Sequence, residues 1–400
     1  MSSRIRDWGY APGQFPTGPK NSVLDVPGVL VGQVDINEGE DVHTGVTVIF
    51  PRGIKNTIYT PCYAAVHDMN TAGEWTGIHQ IREWGFTRAP IAFTNTISIG
   101  KVYDSIWRWT MRQLEADGIT GLDQFEHYGF PTVGETFDGL LNEISRSAVE
   151  EVHVLEAMKR AESQTDVQEG NHGGGTGMRS HGFKAGTGTS SRLLKGDNGK
   201  TYTLGVIVQN NYGSPGDLQI DGVQIGKILW SKPGAKIEVP KPPESGKVSE
   251  GSCLVLIITD VPMLPHQLKR MAQRAGMGLS QVSGHGVGRN FSGEFFMALS
   301  TGNSPESPSK WDGMSSLPPF LETDTVETVK SQLIDTLFMA AAEATEEAVL
   351  NAMTSAKTLK GFQGFETKAL PREEVEALLK KYGRGYMNEI FEANMAATTK

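Results

Sequence analysis

Two hydroxyls, one carboxylate and one side-chain amide stand out in this chain of 400 residues as a set that could form and hold an acyl intermediate. Ser252 follows Gly251 and opens SCLVLIITD, whose near-continuous apolar residues predict a buried strand. A serine at the mouth of such a strand is fixed by the sheet. The glycine before it permits the strained backbone a hydroxyl needs to attack the carbonyl behind it. Scission there would free an α-amine with a pKa of roughly 7.7 to 8.0 beside a primary hydroxyl, and an amine near neutrality is a usable base. By itself the dipeptide reads as an ordinary turn before a strand.

Ser292 and Glu294 lie two residues apart at the entrance to a second apolar strand, GEFFMALST. Alternating side chains would put both on one face, where the carboxylate could orient the hydroxyl or hold a proton. The pair would also serve as caps of a solvated turn. Asn211, at the end of TLGVIVQNNYG, can donate a side-chain N–H to a developing oxyanion, a contribution worth about 3 to 4 kcal/mol. Asn before Tyr-Gly is also common turn chemistry.

Other chemistries fit less well. The run His172 to Gly175 is like the oxyanion loop of lipases, but the chain has no Gly-x-Ser-x-Gly elbow. Neither Gly-rich run places Gly-x-Gly-x-x-Gly after a strand, and Gly222 to Lys227 is too short for a phosphate loop. The nine histidines show no metal spacing such as His-Glu-x-x-His. We therefore expect neither a metal nor a cofactor.

The elements that must position these groups are mixed. Residues 21–52 read as two strands, APIAFTNTISIG as another, and the stretch through Val102, Ile106, Trp107 and Leu114 as a helix. A second helix is predicted within 134–161, from Leu140, Leu141, Ile144, Val149, Val152, Leu155 and Met158. The polar, Pro-containing stretch that ends at Gly251 reads as an exposed linker. Beyond the strand opened by Ser252 come a helix over HQLKRMAQRAGM, a long amphipathic helix over 326–356 and a short one after Pro371. Such a mixture, without regular βα alternation, suggests helices packed on both faces of two sheets.

Composition narrows the partners. A net charge of -9 with no Lys/Arg cluster opposes nucleic acid, and 38% hydrophobic with 21% charged residues opposes a chain folded in lipid. Cys62 and Cys253 are the only cysteines, so no disulfide framework exists. The first twenty residues lack the apolar core of a secretory signal, so the expected location is the cytoplasm.

Taken in order, the blocks NSVLDVPGVLVG, TGVTVI, NTAGEWTGIHQIREWG, PIAFTNTISIGKVYDSIW, PTVGETFDGLLN, GGGTGM, FKAGTGTSSR, VIVQNNYG, GSCLVLIITDVP, SGEFFMALST and EATEEAVLNAM are similar to the L-aminopeptidase D-amidase/D-esterases and β-peptidyl aminopeptidases. That DmpA-like family is related in fold to the ornithine acetyltransferases. The resemblance spans about residues 20 to 375 and implies a single αββα sandwich of the α+β class, residues 1–400. It implies cleavage between Gly251 and Ser252, giving an α chain of 1–251 and a β chain of 252–400. It further implies Ser252 as nucleophile, Ser292 and Glu294 as its partners, and Asn211 on the oxyanion.

Where some members have tyrosine this chain has Phe137, which cannot donate a hydrogen bond and is expected to line the substrate pocket. Glu135 is the candidate for gripping the substrate ammonium. The expected activity is removal of an N-terminal residue from short peptides, amides or esters, in a homo-oligomer of αβ units. The alternatives are an acyltransferase of the ornithine acetyltransferase type and an unprocessed binding protein.

Overall fold

The computed structural model describes residues 3–197, 199–231, 251–306 and 321–384. Alternation in its first strong apolar runs makes two nine-residue strands, β1 (Leu30–Glu38) and β2 (Val42–Phe50), paired antiparallel. Next come α1 (Ile54–Tyr59), β3 (Cys62–Thr71), α2 (Ile78–Trp84), β4 (Phe86–Thr87), β5 (Ile91–Asn95), α3 (Ile99–Ala116), β6 (Thr132–Thr136) and α4 (Glu151–Arg160). The Gly-rich middle holds the two-residue strands β7 (Arg179–Ser180) and β8 (Phe183–Lys184), the long hairpin β9 (Thr187–Lys195) and β10 (Thr201–Tyr212), and α5 (Ile225–Trp230). The last part holds β11 (Gly251–Thr259), α6 (Pro265–Ser283), β12 (Gly293–Ser300), α7 (Asp335–Thr354), the small pair β13 (Leu359–Lys360) and β14 (Glu366–Thr367), and α8 (Arg372–Tyr382).

Two sheets dominate. One has the order β1-β2-β5-β6 and the other β4-β3-β12-β11-β10-β9. Alternation along β11 shows how they stack. Leu254, Leu256 and Ile258 join Val31, Ile49, Ile91 and Phe93 of the opposite sheet in one core. Cys253, Val255 and Ile257 point the other way, into a second core with Leu268 and Met271 of α6 and Ala344, Ala348 and Met353 of α7. A third core sets Val34, Ile36, Val46 and Val48 against Val102 and Ile106 of α3 and Val154 and Met158 of α4. The layers are therefore helix, sheet, sheet, helix, as expected.

Two expected helices are shorter than their apolar spacing suggests. The helix foreseen within 134–161 shrinks to Glu151–Arg160, because Thr132–Thr136 is a strand and Asp138 and Glu143 carbonyls close turns through Leu141, Asn142 and Arg146. The long helix over 326–356 starts only at Asp335: the Val329 N–H donates to Pro262 O at 2.9 Å, and Val329 O accepts from Gln267 Nε2 at 2.8 Å. That segment gives its backbone groups to the loop before α6 and to the first turn of α6 rather than to a helix. The polar linker before Gly251 lies outside the described residues.

Candidate active site

The site forms where β10, β11 and β12 meet at one end of the larger sheet. Ser252, the second residue of β11, pairs with Asn211 across the antiparallel ladder and with Gly293 across the parallel one. Only 5% of it is exposed. Its hydroxyl donates to Gly251 O at 2.8 Å and accepts from the Gly293 N–H at 3.3 Å. The Ser252 oxygen thus rests against the peptide group that self-cleavage would attack. Gly251 has φ +93, a conformation that residues with a Cβ rarely adopt. It is also pressed against its neighbour: a Cβ there would lie 1.8 Å from Asn211 O.

Asn211 is buried and doubly anchored. Its Oδ1 accepts from the Arg179 N–H at 2.9 Å, and its Nδ2 donates to Phe137 O at 2.9 Å. These two bonds fix which end of the amide is the donor. The amide keeps a second N–H beyond the one given to Phe137, on the sheet face it shares with Ser252.

Ser292 and Glu294 come together as spacing predicts: the Ser292 hydroxyl donates to Glu294 Oε1, with both residues buried. Their position relative to Ser252 differs from the simplest expectation. Glu294 pairs with Cys253, and Gly293 with Ser252. Paired residues share a face, so the carboxylate lies on the helix side of the sheet, with Cys253 and Tyr212, and not on the face of the Ser252 side chain. Burial, with the Glu294 charge adding to it, holds the Cys253 thiol well above its usual range. The hydroxyl–carboxylate pair therefore flanks Gly293, whose N–H is what reaches the Ser252 hydroxyl. Sequence reasoning missed Gly293; the glycine between the two candidate residues was the available signal.

Glu135 sits on β6, nearly buried. Its Oε1 accepts from the Glu74 N–H at 3.0 Å and its Oε2 from the Thr96 hydroxyl. Burial raises its pKa, against the pull of those two bonds. It lies near the strand mouth that holds Ser252. Gly73 faces both Glu135 Oε1 and the Phe295 ring, and Gly293 faces the same ring. Phe137, one residue beyond β6, is 36% exposed and gives only its carbonyl to Asn211.

A second buried polar set lies beside these residues. Gln209 Nε2 donates to Thr94 O at 2.8 Å and to Thr136 Oγ1 at 2.7 Å, and Thr136 Oγ1 donates to Met178 Sδ at 3.0 Å. Asp138 accepts from Asn95 Nδ2 and Asn142 Nδ2, each at 3.0 Å. Burial raises Asp138 to about 6 and lowers the buried Lys184 to about 7, the Asp138 charge pulling Lys184 back upward. Among the described residues no group of three or more His, Cys, Asp and Glu is arranged to hold a metal ion, and no helix is long and apolar enough to cross a membrane.

A four-layer sandwich with a buried serine set against a glycine carbonyl at a strand mouth is an arrangement in which that serine could serve as a nucleophile. Comparisons define the class further. The model of Peptidase family S58 matches residues 21–367. The β-peptidyl aminopeptidase BapA of Sphingosinicella microcystinivorans is 38% identical over 393 residues, covering 95% of this chain and 93% of that protein. Among solved structures, a Burkholderia sp. β-aminopeptidase superposes with a TM-score of 0.80 at 38% identity, covering 95% of this chain and 99% of the other. The L-aminopeptidase D-Ala-esterase/amidase of Ochrobactrum anthropi, described as a prototype for the serine aminopeptidases and a variant of the Ntn hydrolase fold, superposes with a TM-score of 0.80 at 37% identity over the same shares. This chain belongs to Peptidase family S58 and is a serine aminopeptidase. The acetyltransferase and non-enzymatic alternatives are not favoured.

Proposed function

We propose that the chain cuts itself between Gly251 and Ser252 and then uses Ser252 to remove N-terminal residues from short peptides, amides or esters. One observation carries the reading: the Ser252 hydroxyl rests 2.8 Å from the carbonyl oxygen of a glycine held at φ +93. Attack by Oγ on the Gly251 carbonyl carbon forms an ester as the C–N bond to Ser252 breaks, and water releases the ester. The new α-amine of Ser252 then takes the proton from its own hydroxyl. In turnover the same oxygen attacks the substrate carbonyl, the leaving amine departs protonated, and water frees the acyl group.

Around that step each residue has a task. The Gly293 N–H and the second N–H of Asn211 supply donors for the oxyanion. The Ser292–Glu294 pair fixes Gly293 and holds the region polar where the new ammonium must exchange protons. Glu135, whose carboxylate is costly to keep charged while buried, gains a partner when a substrate ammonium arrives. Phe137 contacts the first side chain. Likeness to β-aminopeptidases supports β-amino acids among the accepted residues.

The decisive test is intact-mass analysis of the purified protein. We expect two chains, ending at Gly251 and starting at Ser252, for the wild type and a single 43.4 kDa chain for Ser252→Ala, which should also hydrolyse no aminoacyl nitroanilide. A wild-type chain that stays whole while active overturns the mechanism.

A further inference from the structure

We propose that Lys184 is a positioning residue for Asn211, acting through the peptide bond between Met178 and Arg179. The inference rests on the reading of Asn211 as an oxyanion donor. Lys184 is the last residue of β8 and has no exposed surface. Its Nζ donates to Met178 O and to Ala185 O, each at 2.6 Å, and reaches Gly175 O at 3.5 Å. The carbonyl of Met178 belongs to the same planar peptide group as the Arg179 N–H, and that N–H donates to Asn211 Oδ1 at 2.9 Å.

One rigid group is therefore held at both ends, by an ammonium on its oxygen and by the Asn211 amide on its hydrogen. The ammonium polarises the peptide and strengthens the N–H as a donor. The consequence reaches the chemistry because Asn211 can lie in either of two flipped states. With Oδ1 on Arg179 its NH2 end faces Phe137 O and the nucleophile's side of the sheet. Flipped, it would turn an acceptor oxygen toward a developing negative charge.

A cation in this position is costly by burial alone, and a neutral chain of similar length would fill the space. Asp138 supplies the compensating charge nearby, itself buried and held by Asn95 and Asn142. The Gly-rich turn explains why a side chain is needed for the task. A Cβ on Gly173 would meet the Thr47 and Gln33 side chains, one on Gly174 the Gln209 side chain and Phe93 O, and those on Gly175 and Gly177 neighbouring backbone, so residues with side chains cannot stiffen the turn from within.

The test is a double-mutant cycle of Lys184→Met and Asn211→Ala, reading kcat and KM on an aminoacyl nitroanilide, or the self-cleavage rate where a variant stays uncut. Lys184→Met should lower kcat about 10- to 100-fold with KM within twofold, and the double variant should be no slower than Asn211→Ala alone. Additive losses, or a folded Lys184→Met with unchanged kcat, overturn the inference. If Lys184→Met fails to fold, Lys184→Met with Asp138→Asn removes both charges together and enters the same cycle. An Asn211→Ala enzyme of wild-type rate instead sinks the oxyanion role of Asn211, and with it the reading beneath this one.

Discussion

Replacing Gly251 with alanine tests the self-cleavage reading at its most constrained atom. At φ +93 a residue with a Cβ costs roughly 1 to 2 kcal/mol in backbone conformation alone. Steric overlap weighs more. The added carbon would lie 1.8 Å from Asn211 O, against an ordinary carbon–oxygen contact of about 3.3 Å, so the strand mouth must move by about 1.5 Å. A displacement of about 1 Å between reacting groups can cost on the order of 10²-fold in rate. Gly251→Ala should therefore slow precursor cleavage at least about 100-fold, while the cores on both sides of β11 remain formed. The assay is a time course of freshly purified precursor on denaturing gels and by intact mass, with a thermal melt to show that the variant is folded. A folded Gly251→Ala chain that cuts itself at the wild-type rate refutes the claim that this strained carbonyl is the one attacked.

Two further outcomes follow from the site and its surroundings. Glu135→Gln keeps one acceptor oxygen for the Glu74 N–H, turns the atom facing the Thr96 hydroxyl into a donor and removes the charge; KM for free-amine substrates should rise about 10-fold or more, and the preference over N-acetylated substrates should shrink, as steady-state kinetics on the matched pair will show. His181 is wholly buried between Ser180 Oγ at 2.8 Å and Ser283 Oγ at 2.6 Å, and burial lowers its pKa to about 3. The unfolded chain, with a histidine near 6.5, binds this proton more readily, so the contribution of His181 to stability is full above about pH 6.5 and is lost as pH drops toward 3, by up to about 5 kcal/mol. The buried carboxyls Asp138, Glu169 and Glu346, whose pKa values burial raises, contribute in the opposite direction. Denaturant melts from pH 7 to pH 4 should show His181→Asn, a residue tolerant of the φ +52 found there, losing less stability on acidification than the wild type.

How much of the fold and site was legible beforehand divides by physical cause. The strands at 30–50, 91–95, 201–212, 251–259 and 293–300 announce themselves because burial on one or both faces leaves a plain apolar pattern. The segment 134–161 misleads, since Leu140 and Leu141 keep helical spacing while Asp138 ties them into turns. Spacing also finds Ser292 with Glu294 but cannot say on which face of a sheet they fall: the register against Cys253 decides that, and register is a property of pairing between distant segments. Lys184 and Asp138 escape notice for a similar reason. A lysine and an aspartate 46 positions apart carry no local mark of shared burial.

The order of the larger sheet has a lasting effect on the molecule's fate. Strands preceding Ser252 occupy both flanks, β4 and β3 on one side and β10 and β9 on the other, with β11 and β12 clamped between them. A chain severed ahead of β11 becomes two polypeptides that share one sheet, joined by a ladder on each side of the inserted pair. Separation demands unzipping both at once, so the product is kinetically tenacious. Once melted, though, the fragments must meet again by diffusion, and a single folding event has become an encounter between partners.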